Sequence, residues 1–364
     1  MQALVRVDSS LQIGVGHLMR CLTLADELRR VGLCVTFACR ALPRNMNSLI
    51  ESRGFSFHAL PGDDRRDRVD SILQDWGEDA AATVGILHHL KTVDWLIVDH
   101  YGLDRQWERR LRSHARRVMV IDDLANRKHE CDLLLDQNFF HDAETRYSGL
   151  IPNSTRTLFG PRFALLRSDF EMFRRQAVVR GGSVRRILIF FGGTDSDNVT
   201  AKAIRAVKSI EKRDLEFDVV VGGSNPHRVQ IEEICREDAR FHYHCQAENM
   251  AELMTKAGLA LGAGGATTWE RCYLGLPAIT LATAANQIST NQDLAANGIC
   301  WFLGRAQDVE AAQLGAFVAA VVNDPDALRT TSAKAMSITG EDETLPTRRV
   351  LKLMMDVLHG AASS

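Results

Sequence analysis

The 364-residue chain has no Cys-x-x-Cys pair, no long apolar run, no basic surplus and no low-complexity tract. Each absence excludes something. The eight cysteines (Cys21, Cys34, Cys39, Cys131, Cys235, Cys245, Cys272 and Cys300) are scattered, several in apolar runs. That pattern predicts buried free thiols in a reducing compartment, hence the cytoplasm. A formal net charge of -2 gives no bulk attraction for nucleic acid or for a membrane surface. The arginines of 109–117 read as a solvated helix face. The start, Ala3-Leu-Val-Arg-Val, lacks the basic region and long apolar stretch of a secretory signal. A membrane helix needs about 18 or more consecutive apolar residues, and none occur. What remains is an ordinary globular composition, 45% hydrophobic and 25% charged, at a length that suits two domains.

Short apolar runs alternate with amphipathic stretches. Leu4–Val7, Cys34–Ala38, Trp95–Asp99, Arg117–Ile121 and Asp132–Leu135 read as strands buried on both faces. Between the first two, Leu18, Cys21, Leu22, Ala25 and Leu28 fall at helical spacing over 17–30. The pattern restarts at Arg186–Phe191, with a helix over 199–210 and further strands at Phe217–Val221, Gly258–Leu261 and Ala278–Leu281. Strands alternating with helices predict doubly wound α/β domains. The glycine-bearing stretch 178–184 reads as the boundary between residues 1–177 and 184–364. Ligands of open α/β sheets bind beyond the carboxyl ends of the strands. The chemistry is therefore sought in the turns that follow them.

The first such turn holds Gly14, Gly16 and His17. Glycines allow a tight turn and close approach of a ligand. Imidazole exchanges protons near neutrality, so His17 is a candidate base; capping the turn or holding an anion are its other roles. Met19 stands at the third position of the dinucleotide fingerprint, which excludes that motif. Asp99, His100 and Tyr101 follow the third strand of the first half: Asp99 either orients an imidazole or caps a helix, and Tyr101 either meets a sugar or packs. Asp122 and Asp123 could share a proton or a metal, but no further ligand follows at metal spacing, and a structural turn is expected. Asp136 and Asn138 have the same strand-end placement. His242 and His244 have no second ligand cluster, so no zinc site is expected.

In the second half, Gly192, Gly193, Thr194 and Asn198 form either an anion-binding turn or a plain helix cap. The ATP-hydrolysing P-loop consensus is absent. The stretch 261–279 carries Gly262, Gly264, Gly265, Thr267, Thr268 and Glu270, then Gly275-Leu-Pro. Free amide N–H groups there suit a diphosphate, and a carboxylate one turn later suits a ribose diol. Asn286 and Gln287 follow the next strand, where side-chain amides could meet sugar hydroxyls.

These blocks (Arg6-Val-Asp-Ser-Ser, Gly14-Val-Gly-His, Asp99-His-Tyr-Gly, Gly192-Gly-Thr-Asp and 262–277) occur in one order over nearly the whole chain. In this the sequence resembles the UDP-sugar hydrolases of pseudaminic acid biosynthesis. The last block is shared more widely, including with the peptidoglycan N-acetylglucosaminyltransferases. The resemblance implies a GT-B fold: two Rossmann-like domains, their parallel sheets facing a cleft. It implies His17 as the catalytic residue and Tyr101 as an active-site residue. Arg6, Asp8, Gly14, Gly16, Asp99, Gly193, Thr194, Gly264, Gly265, Thr267, Thr268, Glu270, Asn286 and Gln287 complete the expected substrate contacts. The partners it implies are a UDP-sugar and water, with no cofactor and no metal. Trp269, beside Glu270, departs from some relatives. Rival expectations are a glycosyltransferase of the same fold, a hydrolysing epimerase, and a non-catalytic nucleotide-sugar binder.

Overall fold

The computed structural model describes residues 1–9, 16–42, 45, 47–61, 76–210, 214–340 and 342–360. The chain divides into two units. The first comprises Met1–Asn138, Asp142–Arg167 and Leu345–Ser364; the second comprises Phe139–His141 and Ser168–Thr344. The units divide at Arg167/Ser168 rather than in the stretch 178–184, and the last stretch returns to the first unit.

The first unit is built on β1 (Gln2–Val7), β2 (Cys34–Arg40), β3 (Ser56–Leu60), β4 (Val93–Asp99), β5 (Ala115–Ile121), β6 (Leu133–Asp136) and β7 (Arg156–Phe159). They pair in the order β3-β2-β1-β4-β5-β6-β7, every pair parallel. All of Val93–Asp99 is buried, as a strand covered on both faces requires. The order reverses at β1, between β2 and β4. Register pairs Val7 with Asp99, Val98 with Val120, and Ile121 with Leu135. The residues that follow β1, β4, β5 and β6 therefore share one sheet edge.

Helix α1 (Gly16–Arg30) buries Leu18, Cys21, Leu22, Ala25 and Leu28 against this sheet. Its last turn carries Arg29 and Arg30, favourable at the negative helix end. A C-terminal helix over Pro346–His359 buries Val350, Leu351, Met354 and Leu358 in the same core. That amphipathic stripe is why 345–364 belongs to the first unit.

The second unit has β8 (Arg186–Phe190), β9 (Glu216–Val221), β10 (Phe241–Cys245), β11 (Leu259–Ala263), β12 (Ala278–Ala282) and β13 (Trp301–Arg305). Their order is β10-β9-β8-β11-β12-β13, all parallel. Among the described residues, no helix is long and apolar enough to cross a membrane. All eight cysteines are free. Six are buried; Cys34 and Cys245 are exposed, because they sit at the first residue of β2 and the last of β10.

Candidate functional site

His17 stands on the first turn of α1, at the edge where β4 ends in Asp99. Its Nδ1 lies 2.5 Å from Asp99 Oδ1. Arg20, one helical turn on, grips the same carboxylate with both arms, Nε to Oδ2 at 2.6 Å and Nη2 to Oδ1 at 2.7 Å. Its remaining nitrogen donates to Asp123 Oδ2 at 3.1 Å. Tyr101 closes the ring: its hydroxyl donates to Asp123 Oδ1 at 2.7 Å, and its ring meets the His17 imidazole edge-on at 4.5 Å. The Asp99 side chain is fully buried, while His17 keeps 11% of its side chain exposed.

The charges decide the roles. Burial opposes ionisation of Asp99, but Arg20 and His17 outweigh it and hold the carboxyl well below the usual carboxylate range. An ionised carboxylate can only accept, so His17 Nδ1 carries the hydrogen, and in the neutral ring it is Nε2 that holds the lone pair. Burial, and then the charge of Asp123, push the Tyr101 phenol far above its ordinary range. Tyr101 is therefore a neutral donor. Sequence reading found His17, Asp99 and Tyr101 but passed over Arg20, although its spacing of three from His17 puts both on one helix face.

Several expected contacts lie elsewhere. Gly14 falls outside the described residues. Gly16 opens α1, and among the described residues nothing lies within 4 Å of where its Cβ would stand. Arg6 and Asp8 are fully buried and paired at 2.5 Å. Asp79 accepts from Arg6 at 2.7 Å and from the indole of Trp107 at 2.9 Å. Buried His100 lies 3.2 Å from Asp8. This cluster braces the sheet from within, and burial leaves Arg6 and Asp8 no surface for substrate.

In the second unit the turn after β8 is expected to be either an anion site or a plain helix cap. Its helix, Val199–Lys208, is already capped: Asp195 accepts from the amides of Val199 and Thr200, each at 2.9 Å. Gly193 lies against Gly222, where a Cβ would meet its carbonyl oxygen at 2.0 Å; Thr194 is half-buried. The stretch after β11 leads into a short helix, Thr267–Tyr273. Gly264 packs against Asn291, whose amide donates to its carbonyl at 3.2 Å. Gly265 and Thr267 are half-buried, and among the described residues no acceptor takes the amides of Gly265, Ala266 or Thr267. Thr268 faces inward instead, its hydroxyl accepting from Arg271 at 3.0 Å. Glu270 is half-buried, and Trp269 is 2% exposed and belongs to the core. Asn286 is exposed, whereas the Gln287 side-chain oxygen Oε1 is taken by the Thr283 amide at 3.0 Å. His242 Nε2 lies 3.4 Å from a Glu216 carboxylate oxygen and His244 Nε2 lies 2.9 Å from Asp218.

Residues 187–344 match the Glycosyltransferase family 28 C-terminal domain. The chain is 25% identical over 298 residues to the UDP-2,4-diacetamido-2,4,6-trideoxy-beta-L-altropyranose hydrolase of Campylobacter jejuni subsp. jejuni serotype O:2, covering 82% of this chain and 97% of the hydrolase. It is 24% identical over 289 residues to an uncharacterized protein of Methanocaldococcus jannaschii, covering 77% of this chain but only 55% of that longer protein. Among solved structures, Arabidopsis thaliana UGT89C1 complexed with UDP superposes with a TM-score of 0.66 at 14% identity, covering 98% of this chain and 99% of that one. The chain is thus a two-domain α/β protein of the GT-B fold, similar to the UDP-2,4-diacetamido-2,4,6-trideoxy-beta-L-altropyranose hydrolase, with a glycosyltransferase family 28 C-terminal domain match in its second unit.

Proposed function

We propose that the protein is a cytoplasmic hydrolase that cleaves the anomeric C–O bond of a UDP-sugar, of the UDP-2,4-diacetamido-2,4,6-trideoxy-altropyranose type, with inversion. The observation that carries this reading is the His17–Asp99 pair, fixed by Arg20 and edged by Tyr101. His17 Nε2 takes a proton from water as the water oxygen bonds to C1. The C1–O bond to UDP breaks, and UDP leaves with the electron pair. A nucleoside diphosphate is a good leaving group, so the base is the main demand on the protein. General-base assistance is commonly worth ~10²–10⁴ in rate. UDP would be held by the second unit, at Gly264, Gly265, Thr267 and Glu270, within the stretch that matches the glycosyltransferase domain.

The test is proton NMR of the purified protein with that UDP-sugar, EDTA and no acceptor. UDP release with an inverted anomeric product, lowered ~10²–10⁴-fold in His17→Ala, is the expected result. UDP affinity should survive the same change. The family match and the fold also favour a glycosyltransferase, which would use an acceptor alcohol in place of water. No turnover without acceptor, with UDP still bound, would favour that second reading.

A further inference from the structure

Arg271 lies in the short helix after β11 and is only 3% exposed. Its Nη2 donates to the carbonyl of Ala263 at 2.9 Å and to the Thr268 hydroxyl at 3.0 Å. Its other terminal nitrogen sits where a Cβ on Gly262 would come within 2.8 Å. The guanidinium is thus wedged under the backbone of 262–268. Among the described residues its Nε has no acceptor and no carboxylate forms an ion pair with it. Of the other buried arginines, Arg6 is matched by Asp8 and Asp79, Arg20 by Asp99 and Asp123, and Arg40 by Asp79, while Arg174 donates to the carbonyls of Tyr273 and Gly340.

A buried, unmatched charge is costly to folding unless something else compensates it. Burial disfavours the charged form of Arg271, more than the nearby Glu270 favours it. Bracing the turn would not need a charge, because a neutral amide could donate to the same two oxygens.

We infer that Arg271 is a positioning residue whose positive charge, held beneath 262–268, is balanced by the diphosphate of the bound nucleotide. This deepens the proposal that the same stretch binds UDP and rests on it. The charge acts through the backbone rather than by touching the ligand. A low-dielectric setting lets it act over that distance.

The experiment compares binding of uridine and UDP to the full chain by calorimetry, in the wild type, Arg271→Gln and Arg271→Lys. Gln keeps a donor but drops the charge; Lys keeps the charge. Thermal melts of the free proteins establish that each variant folds. In the wild type UDP should bind far more tightly than uridine. Arg271→Gln should lose roughly ten- to hundredfold in UDP affinity with uridine affinity unchanged, and Arg271→Lys should retain most of the difference. Equal losses in the Gln and Lys variants would show bracing rather than charge and overturn the inference. So would an undiminished UDP preference in Arg271→Gln. A wild type that binds UDP no better than uridine would instead overturn the placement of UDP on this stretch, and the inference with it.

Discussion

At His17 the chemistry turns on which ring nitrogen holds the hydrogen. Asp99 settles that only while it is ionised, and Arg20 keeps it so. Asp99→Asn preserves size but presents an amide that can donate to Nδ1, which moves the hydrogen to Nε2 and removes the base. UDP release should fall by about 10²–10⁴ with the fold intact, checked by steady-state rates beside circular dichroism. Farther along the same sheet edge, the Tyr147 hydroxyl lies 3.0 Å from Asp122 Oδ2 and 3.2 Å from Asp136 Oδ2. One hydroxyl hydrogen cannot serve both at once, so protonation of Asp136 would supply the second. Burial, reinforced by the charge of Asp123, pushes Asp136 up to about 7. A carboxyl raised in the folded state favours folding in acid, and that contribution is lost as pH rises from the ordinary carboxylate range through 7. Asp136→Asn should therefore lose less stability than the wild type between pH 5 and pH 8, the interval that brackets 7, in paired urea titrations.

Among the elements, the turn at Gly264 is the one that packing controls most tightly. A Cβ there would meet the Asn291 amide nitrogen at 1.8 Å. Asn291 cannot swing aside cheaply, since it is fully buried and its amide also donates to the Gln287 carbonyl at 2.6 Å. Gly264→Ala should cost about 1–3 kcal/mol, read from the denaturation midpoint, and should weaken UDP binding by displacing the turn. The strands framing these turns differ in how legible they were. β1, β2, β4, β5, β6, β8, β9, β11 and β12 stand out as apolar runs because both faces are covered. β3, β7, β10 and β13 do not, and they are the edges of the two sheets. β3 buries only Leu60, and β13 buries no residue fully, so neither needs an apolar run. The site was legible in the same uneven way. Glycines and a histidine after strands advertise a turn, whereas Arg20, Asn291 and the unmatched Arg271 acquire meaning only from partners distant in sequence or from the lack of one.

For the whole chain, the restart of the strand pattern near residue 186 revealed two units, but not that the end of the chain returns to the first. Hydrophobic spacing in 346–359 marks a helix with one apolar face and carries no address for it. The address comes from packing on α1 and from Thr347, whose hydroxyl accepts from the Leu166 amide at 2.7 Å and donates to the Leu166 carbonyl at 2.6 Å. Burying Val350, Leu351, Met354 and Leu358 contributes about 1.5–3 kcal/mol each. Their sum is comparable with the whole stability of a domain, about 5–15 kcal/mol. Truncation after Thr344 should therefore unfold the first unit even though it removes no residue of either proposed ligand-contacting group. Hydrogen exchange resolved by peptide checks this: segments within 1–138 should lose protection, while those within 186–340 keep theirs. If protection in 1–138 survived, the core of the first unit would be self-sufficient and the terminal helix an accessory to it.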